Sequence, residues 1–418
     1  ITWICCFPLL QGNSNNNLLF LNFLDLEKIC INLGIFLNLL LFFSFFEINF
    51  KYLFIFLLLL PITNLIMYRK KISLKNLFIL LFFSIVISIS IASNLKLEWD
   101  GAALWIYRTI NFFSENNFKN LSEIPGVITY PHLGTYVWSF FWKNSIIDAE
   151  YTGRIFYVFC YCLSIVLIFS KEKIKTITKI LLISASIIFS LDYYLFSGYQ
   201  EYLVFSILIF VFYFYFKYFE VKEKKFLVPI AFFINAIIWT KNEASFFIFF
   251  FFLFVFIHHW ILRDKIKKEI IMLGTFYIIV LFIKYSIFYT NFNEINMGWH
   301  RYEINELNTI FSINYFLERI PSIILAIIVA IIKCKIYLIF FLTILFFVNK
   351  ENLKIFLPFI FFLLLNLTMI FFIYFLTNDP NWLNYSAVTV DRLLIQTSGI
   401  YLFPIYFFLN KKFKLENI

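Results

Sequence analysis

Long apolar runs recur along almost the whole chain, many of them near the roughly 17–25 residues an α-helix needs to cross a bilayer core. In lipid such a chain can satisfy its backbone only as helices or as a closed barrel. A barrel would read as short alternating segments, and these are absent. The fold class is therefore all-α, a polytopic transmembrane helix bundle. Composition agrees: 62% of the 418 residues are hydrophobic and 14% charged, where a soluble domain carries about a quarter charged.

Twelve candidate spans follow from the runs: Ile31–Phe46, Tyr52–Tyr68, Leu77–Leu95, Ile155–Ser170, Ile177–Leu191, Glu201–Phe219, Phe226–Thr240, Ser245–Leu262, Ile270–Tyr289, Ile336–Val348, Ile355–Thr377 and Thr397–Leu409. Several are short, so their ends extend into polar neighbours or snorkel. The first residue is Ile, and ITWICCFPLL reads as the tail of a span whose start is missing. The division is a transmembrane extension over 1–76 and a main transmembrane domain over 77–418. Six scattered cysteines form no metal spacing and read as small buried hydrophobes.

The net charge of +10 does not point to nucleic acid. The cations sit in short clusters between oily runs: Arg69-Lys70-Lys71, Lys171–Lys179, Lys217–Lys225, Arg263–Lys268 and Lys411–Lys414. The alternating loops, 96–154, 192–201, 290–319 and 378–392, are neutral, acidic or mixed. The positive-inside rule places the first set in the cytoplasm and the second outside. That alternation holds through the chain only if Pro321–Ile332 does not cross, so it reads as an interfacial or half-inserted helix on the outer side.

The loop 96–154 is the exception in an oily chain. Between Glu98 and Arg154 it holds six carboxylates, several aromatics and a Tyr130-Pro131-His132 turn. Ionisable groups near bilayer depth mark function by default, and five places qualify. Glu98-Trp99-Asp100 follows a span directly. His132 is either a general base or an ordinary loop histidine. Glu201 opens a span, where a carboxylate also suits the helix dipole. Thr240-Lys241-Asn242-Glu243 breaks two apolar runs, either as a phosphate site or as a hairpin ion pair. Asp391-Arg392 faces outward against the charge rule, and arginine suits phosphate.

These stretches resemble the GT-C superfamily of integral-membrane glycosyltransferases, which includes aminoarabinose and protein mannosyltransferases. The likeness is carried by Glu98-Trp99-Asp100, by TYPHLGTYVWSFF with AEYTGRIF, by GYQEYLVF, by WTKNEASFF, and by VTVDRLLIQTSGIYLFP. It runs over about Leu77–Phe408 and departs at His132, where some members have a second proline, and in the two spans before Leu77. The resemblance implies a GT-C-type bundle of about twelve spans, with interfacial helices in the first long loop. It implies a polyprenyl-phosphate sugar donor, a glycan, lipid or protein acceptor, and inverting transfer at the periplasmic or extracellular face of the bacterial cytoplasmic membrane. Asp100 would be the base, with Glu98 supporting it or helping to hold a divalent metal. Members differ in metal use, so magnesium or manganese stays open and no other cofactor is implied. Glu201 would orient the acceptor, and Lys241 and Arg392 would clamp the phosphate. Tyr130, His132, Arg154, Glu243 and Asp391 complete the candidate substrate contacts. The rival expectation is a multi-pass transporter or flippase for a lipid-linked or small polar substrate.

Overall fold

The computed structural model describes residues 25–57, 74–124, 130–170, 175–292, 312–377 and 381–415. Most of these are helical and none lies in a strand. Eight helices are long and apolar enough to cross a membrane. They are α1 (Asp25–Phe43), α2 (Leu74–Ser93), α5 (Tyr151–Ile168), α7 (Glu201–Val221), α9 (Glu243–Ile261), α10 (Lys268–Phe292), α11 (Ile313–Lys333) and α13 (Lys350–Leu376). Shorter helices stand between them: α3 (Ile106–Phe113), α4 (Leu133–Lys143), α6 (Thr176–Ser190), α8 (Leu227–Ile238), α12 (Lys335–Phe347), α14 (Trp382–Ser398) and α15 (Leu402–Leu415). Much of the expected span Tyr52–Tyr68, and Lys171 and Lys173, lie outside the described residues.

α7 is the central column. Every side chain from Glu201 to Tyr215 is buried, because α7 is apolar on all faces and α5, α8 and α14 pack around it. An all-round apolar helix has no face to give to solvent. Phenylalanine supplies the packing: Phe212 of α7 meets Phe251, Phe254 and Phe362 edge to face, with centroids 4.9–5.5 Å apart. Such edge contacts favour defined geometry over the mere burial of area.

The two ends of the bundle differ. Near one end α7 finishes at Lys222, whose left-handed φ of 61° lets its N–H reach Tyr218 O, and Lys224, Lys225, Arg263 and Lys265 follow in the nearby turns. The first long loop gathers at the other end. α4 there is 11 residues long, too short to cross, with Leu133–Phe140 buried. It falls on the stretch expected as an interfacial helix.

Two elements differ from the sequence reading. Around Pro321 the helix is longer, 21 residues against the 12 of Pro321–Ile332: Pro321 stands inside it, where its ring removes one backbone bond to the preceding turn, yet the helix continues through it. By length and composition α11 could cross. Its neighbours, however, hold it beside α13 and α14: Arg319 donates to Tyr374 O and Thr377 O at 2.9 and 2.6 Å, and Lys333 Nζ lies 3.4 Å from Asp391. The second difference concerns 384–392, expected as a loop before the last span. It lies inside α14, so Arg392 is held on a helix rather than carried on a loop.

Candidate functional site

The site begins with two glycines. A Cβ on Gly101 would lie 2.6 Å from Ser197 O, and one on Gly198 would lie 2.8 Å from Gly101 Cα. Gly198 also adopts φ +98°, a region that favours glycine. The chain around Glu98–Gly101 therefore packs directly on the loop before α7, and Glu98 N–H donates to Ser197 O at 2.9 Å. A π-helical turn, Gly101–Trp105, leads from here into α3. Such turns are often found at functional sites. Arg154, at the start of α5, braces the same junction. Its guanidinium pairs with Glu150 at 2.8 and 3.0 Å and donates to Phe196 O and Leu95 O.

This packing brings Asp100 to α14. Arg392 Nη1 lies 2.6 Å from Asp100 Oδ2, while its Nε and Nη2 lie 2.8 and 2.5 Å from Glu201 Oε1. Lys241 Nζ reaches the same Glu201 oxygen at 2.9 Å and Glu243 at 3.0 Å. Gln396, one turn beyond Arg392, donates to Glu243 at 3.4 Å. The Tyr199 ring lies 4.1 Å from the Arg392 guanidinium carbon, within cation–π range. Three carboxylates and two cations from four separate parts of the chain thus form one continuous network.

The network has a closed end and an open end. Glu201, Lys241 and Arg392 are 0%, 3% and 7% exposed, whereas the Asp100 side chain is 25% exposed. Glu201 Oε2 is buried without a hydrogen-bond partner, which leaves an acceptor beside the guanidinium. Burial alone would push both cations toward neutrality. For Arg392 the Glu201 and Asp100 carboxylates outweigh it and hold the pKa above the usual arginine range. For Lys241, Glu201 and Glu243 do the same and raise it. Both cations stay charged, and a second anion entering at Asp100 would meet them already in place.

The remaining candidates stand elsewhere. Glu98 faces Lys96 at 3.4 Å rather than Arg392, so of the two neighbouring acids Asp100 is the one in the network. Asp391 faces Lys333. His132 is wholly buried among Phe45, Phe112, Phe118 and Trp239, with Nε2 2.6 Å from Ser44 Oγ. Burial, with Arg108 and Lys284 nearby, lowers its pKa well below the usual value. It packs as a neutral core residue, away from any position that could take a substrate proton. Tyr130 contributes its carbonyl to Arg108 Nη2 at 2.8 Å. Arg154, expected to bind substrate, is a brace.

Sequence reasoning missed three participants. Tyr199 and Gln396 lie within quoted motifs but carry no charge to mark them. Lys284 had a signal, as a lysine inside an apolar run. It is fully buried, with Nζ 3.0 Å from both Ile238 O and Asn242 Oδ1, directly behind the Lys241–Glu243 turn.

The donor set does not fit a divalent cation. Among the described residues no three His, Cys, Asp or Glu side chains gather to hold a metal, and the carboxylates that do approach one another already share Arg392 and Lys241. No protein-family model, no curated protein and no solved structure matches the chain.

Proposed function

We propose that the chain is a membrane glycosyltransferase of GT-C type, moving a sugar from a polyprenyl-phosphate donor to an acceptor hydroxyl at the outer face of the bacterial cytoplasmic membrane. The observation that carries the reading is the bridge Asp100–Arg392–Glu201–Lys241. It places a partly open carboxylate beside two buried cations at the mouths of membrane helices.

The chemistry needs a base for the acceptor proton and positive charge for the departing phosphate. In this mechanism the donor phosphate competes for Arg392 and releases Asp100 from its ion pair. Asp100 then accepts the proton of the acceptor hydroxyl as the acceptor oxygen bonds to the anomeric carbon. The bond from that carbon to the phosphate oxygen breaks, and the electron pair leaves with the polyprenyl phosphate, held by Arg392 and Lys241. A single displacement inverts the anomeric centre. The free Oε2 of Glu201 is suited to receive a hydroxyl of donor or acceptor.

Asp100→Asn keeps the shape and one hydrogen-bond acceptor while removing the base. It is expected to lower transfer at least about a hundredfold, the low end of what a positioned base contributes, with expression unchanged and only a small loss of stability. The readout is sugar transfer from a radiolabelled polyprenyl-phosphate sugar in membranes. Retained activity would remove Asp100 from the mechanism.

One observation favours a transporter instead. Lys284 is a buried cation inside a membrane-length helix, where ionisable groups also mark transport pathways. Proteoliposomes separate the readings: a transferase modifies the acceptor without moving the donor lipid across the bilayer, and a flippase does the opposite.

A further inference from the structure

At the end of the bundle away from Glu201, a cavity of about 510 Å³ opens between the last turns of α5, α7 and α9 and the ends of α13 and α15. Its body is apolar, formed by Ile168, Phe216, Ile355, Phe359, Phe403 and Phe407. Two lysines, a glutamate and a histidine also line it: Lys217, Lys354, Glu220 and His258. Two of these are engaged in the wall. Lys217 Nζ lies 3.0 Å from Glu27 Oε1, which also accepts from Tyr213 Oη at 2.7 Å, and His258 Nδ1 lies 2.7 Å from Tyr215 Oη. Lys354 is different. It is exposed and has no ion-pair partner among the described residues.

We infer that this cavity binds an anionic phospholipid of the inner leaflet, its acyl chain along the phenylalanines and its phosphate at Lys354. The size suits a ligand pocket. Lys217 is matched by Glu27, so the positive charge at the mouth comes from Lys354 and from the basic clusters Lys222–Lys225 and Arg263–Lys268, which lie in the turns that follow α7 and α9. Basic pockets between membrane helices at the cytoplasmic surface are where anionic headgroups lodge. A zwitterionic lipid would fill the apolar body equally well but would gain nothing from Lys354. The occupant is therefore distinguished by its headgroup. The proposal is independent of the chemistry at the opposite end.

Native mass spectrometry of the full chain in detergent tests it, with palmitoyl-oleoyl phosphatidylglycerol and phosphatidylcholine titrated in parallel. Phosphatidylglycerol is expected to bind about fivefold more tightly, the factor one lysine beside an anionic headgroup supplies. Lys354→Ala, at an exposed rim, is expected to erase that preference. Ile355→Trp, which fills the cavity and keeps the charge, is expected to weaken both lipids. Equal affinity for the two lipids in the wild-type chain overturns the proposal. So does a preference that survives Lys354→Ala, or binding of both lipids undiminished in a folded Ile355→Trp.

Discussion

Glu201 is the most deeply buried member of the network, and one of its oxygens accepts from both Lys241 and Arg392. Removing a buried partner strands the charges that remain, which costs about 3–5 kcal/mol. A pair with one partner in water is worth about 0–1 kcal/mol. Glu201→Gln should therefore destabilise the folded protein by several kcal/mol, whereas Asp100→Asn, with a side chain 25% exposed, should cost about 1 kcal/mol or less. Chemical unfolding in detergent measures both. Equal losses would show that the network has no open end and that Asp100 is structural. At this scale the sequence was informative about charge and silent about partners. It flagged Asp100, Glu201, Lys241 and Arg392 because charge in an oily chain is costly. It could not separate Asp100 from Glu98, two residues apart, since the choice depends on which carboxylate the Gly101–Gly198 contact turns toward α14. Arg154 misled for a related reason: an arginine at a span entrance looks the same whether it binds a ligand or laces two backbone carbonyls and a glutamate together.

Among elements, the junction of the first long loop with the start of α7 sets the distance between Asp100 and Arg392. Its closeness rests on two residues without side chains. Gly101→Ala would put a methyl 2.6 Å from Ser197 O, backbone against backbone, where neither side yields cheaply. The loop must shift, and Asp100 is the next residue. A misplacement of about 1 Å can cost a hundredfold in rate. Gly101→Ala should accordingly impair transfer far more than it lowers the unfolding temperature, and a variant with normal turnover would mean that this junction does not position the base. The helices themselves were legible, because apolar run length is a strong signal. Their ends were less so. α14 was read as loop followed by span because its first half is polar. In the fold that polarity lies along a helix that carries Arg392 to Glu201 and Gln396 to Glu243.

For the whole molecule the decisive question is sidedness, and the contacts constrain it. α7 runs from Glu201 at the network to Lys217 at the basic end. α13 runs back from Lys354 at the basic cavity to Tyr374, beside Thr389 of α14. α10 brings Lys284 up behind the Lys241 turn, and α12 starts beside Thr397, where Tyr337 Oη lies 2.9 Å from its hydroxyl. The chain thus leaves α10 and enters α12 at the network end. α11, held against α13 and α14 by Arg319 and Lys333, need not change sides between them. This is the arrangement that the alternation of basic and acidic loops requires. Cysteine labelling can test it once Cys5 and Cys6 are replaced by serine, since the other four, Cys30, Cys160, Cys162 and Cys334, are all buried. Asn116→Cys, in the exposed first loop, should react with a membrane-impermeant maleimide in intact spheroplasts. Lys265→Cys, in the basic turn after α9, should react only after lysis. Lys333→Cys, at the exposed end of α11, should label with the first site. Labelling of Asn116→Cys and Lys265→Cys from the same side would overturn the orientation. If Lys333→Cys instead labelled with Lys265→Cys, α11 would cross, and Asp391 beside Lys333 would lie on the face opposite Asp100, against the Asp100–Arg392 bridge.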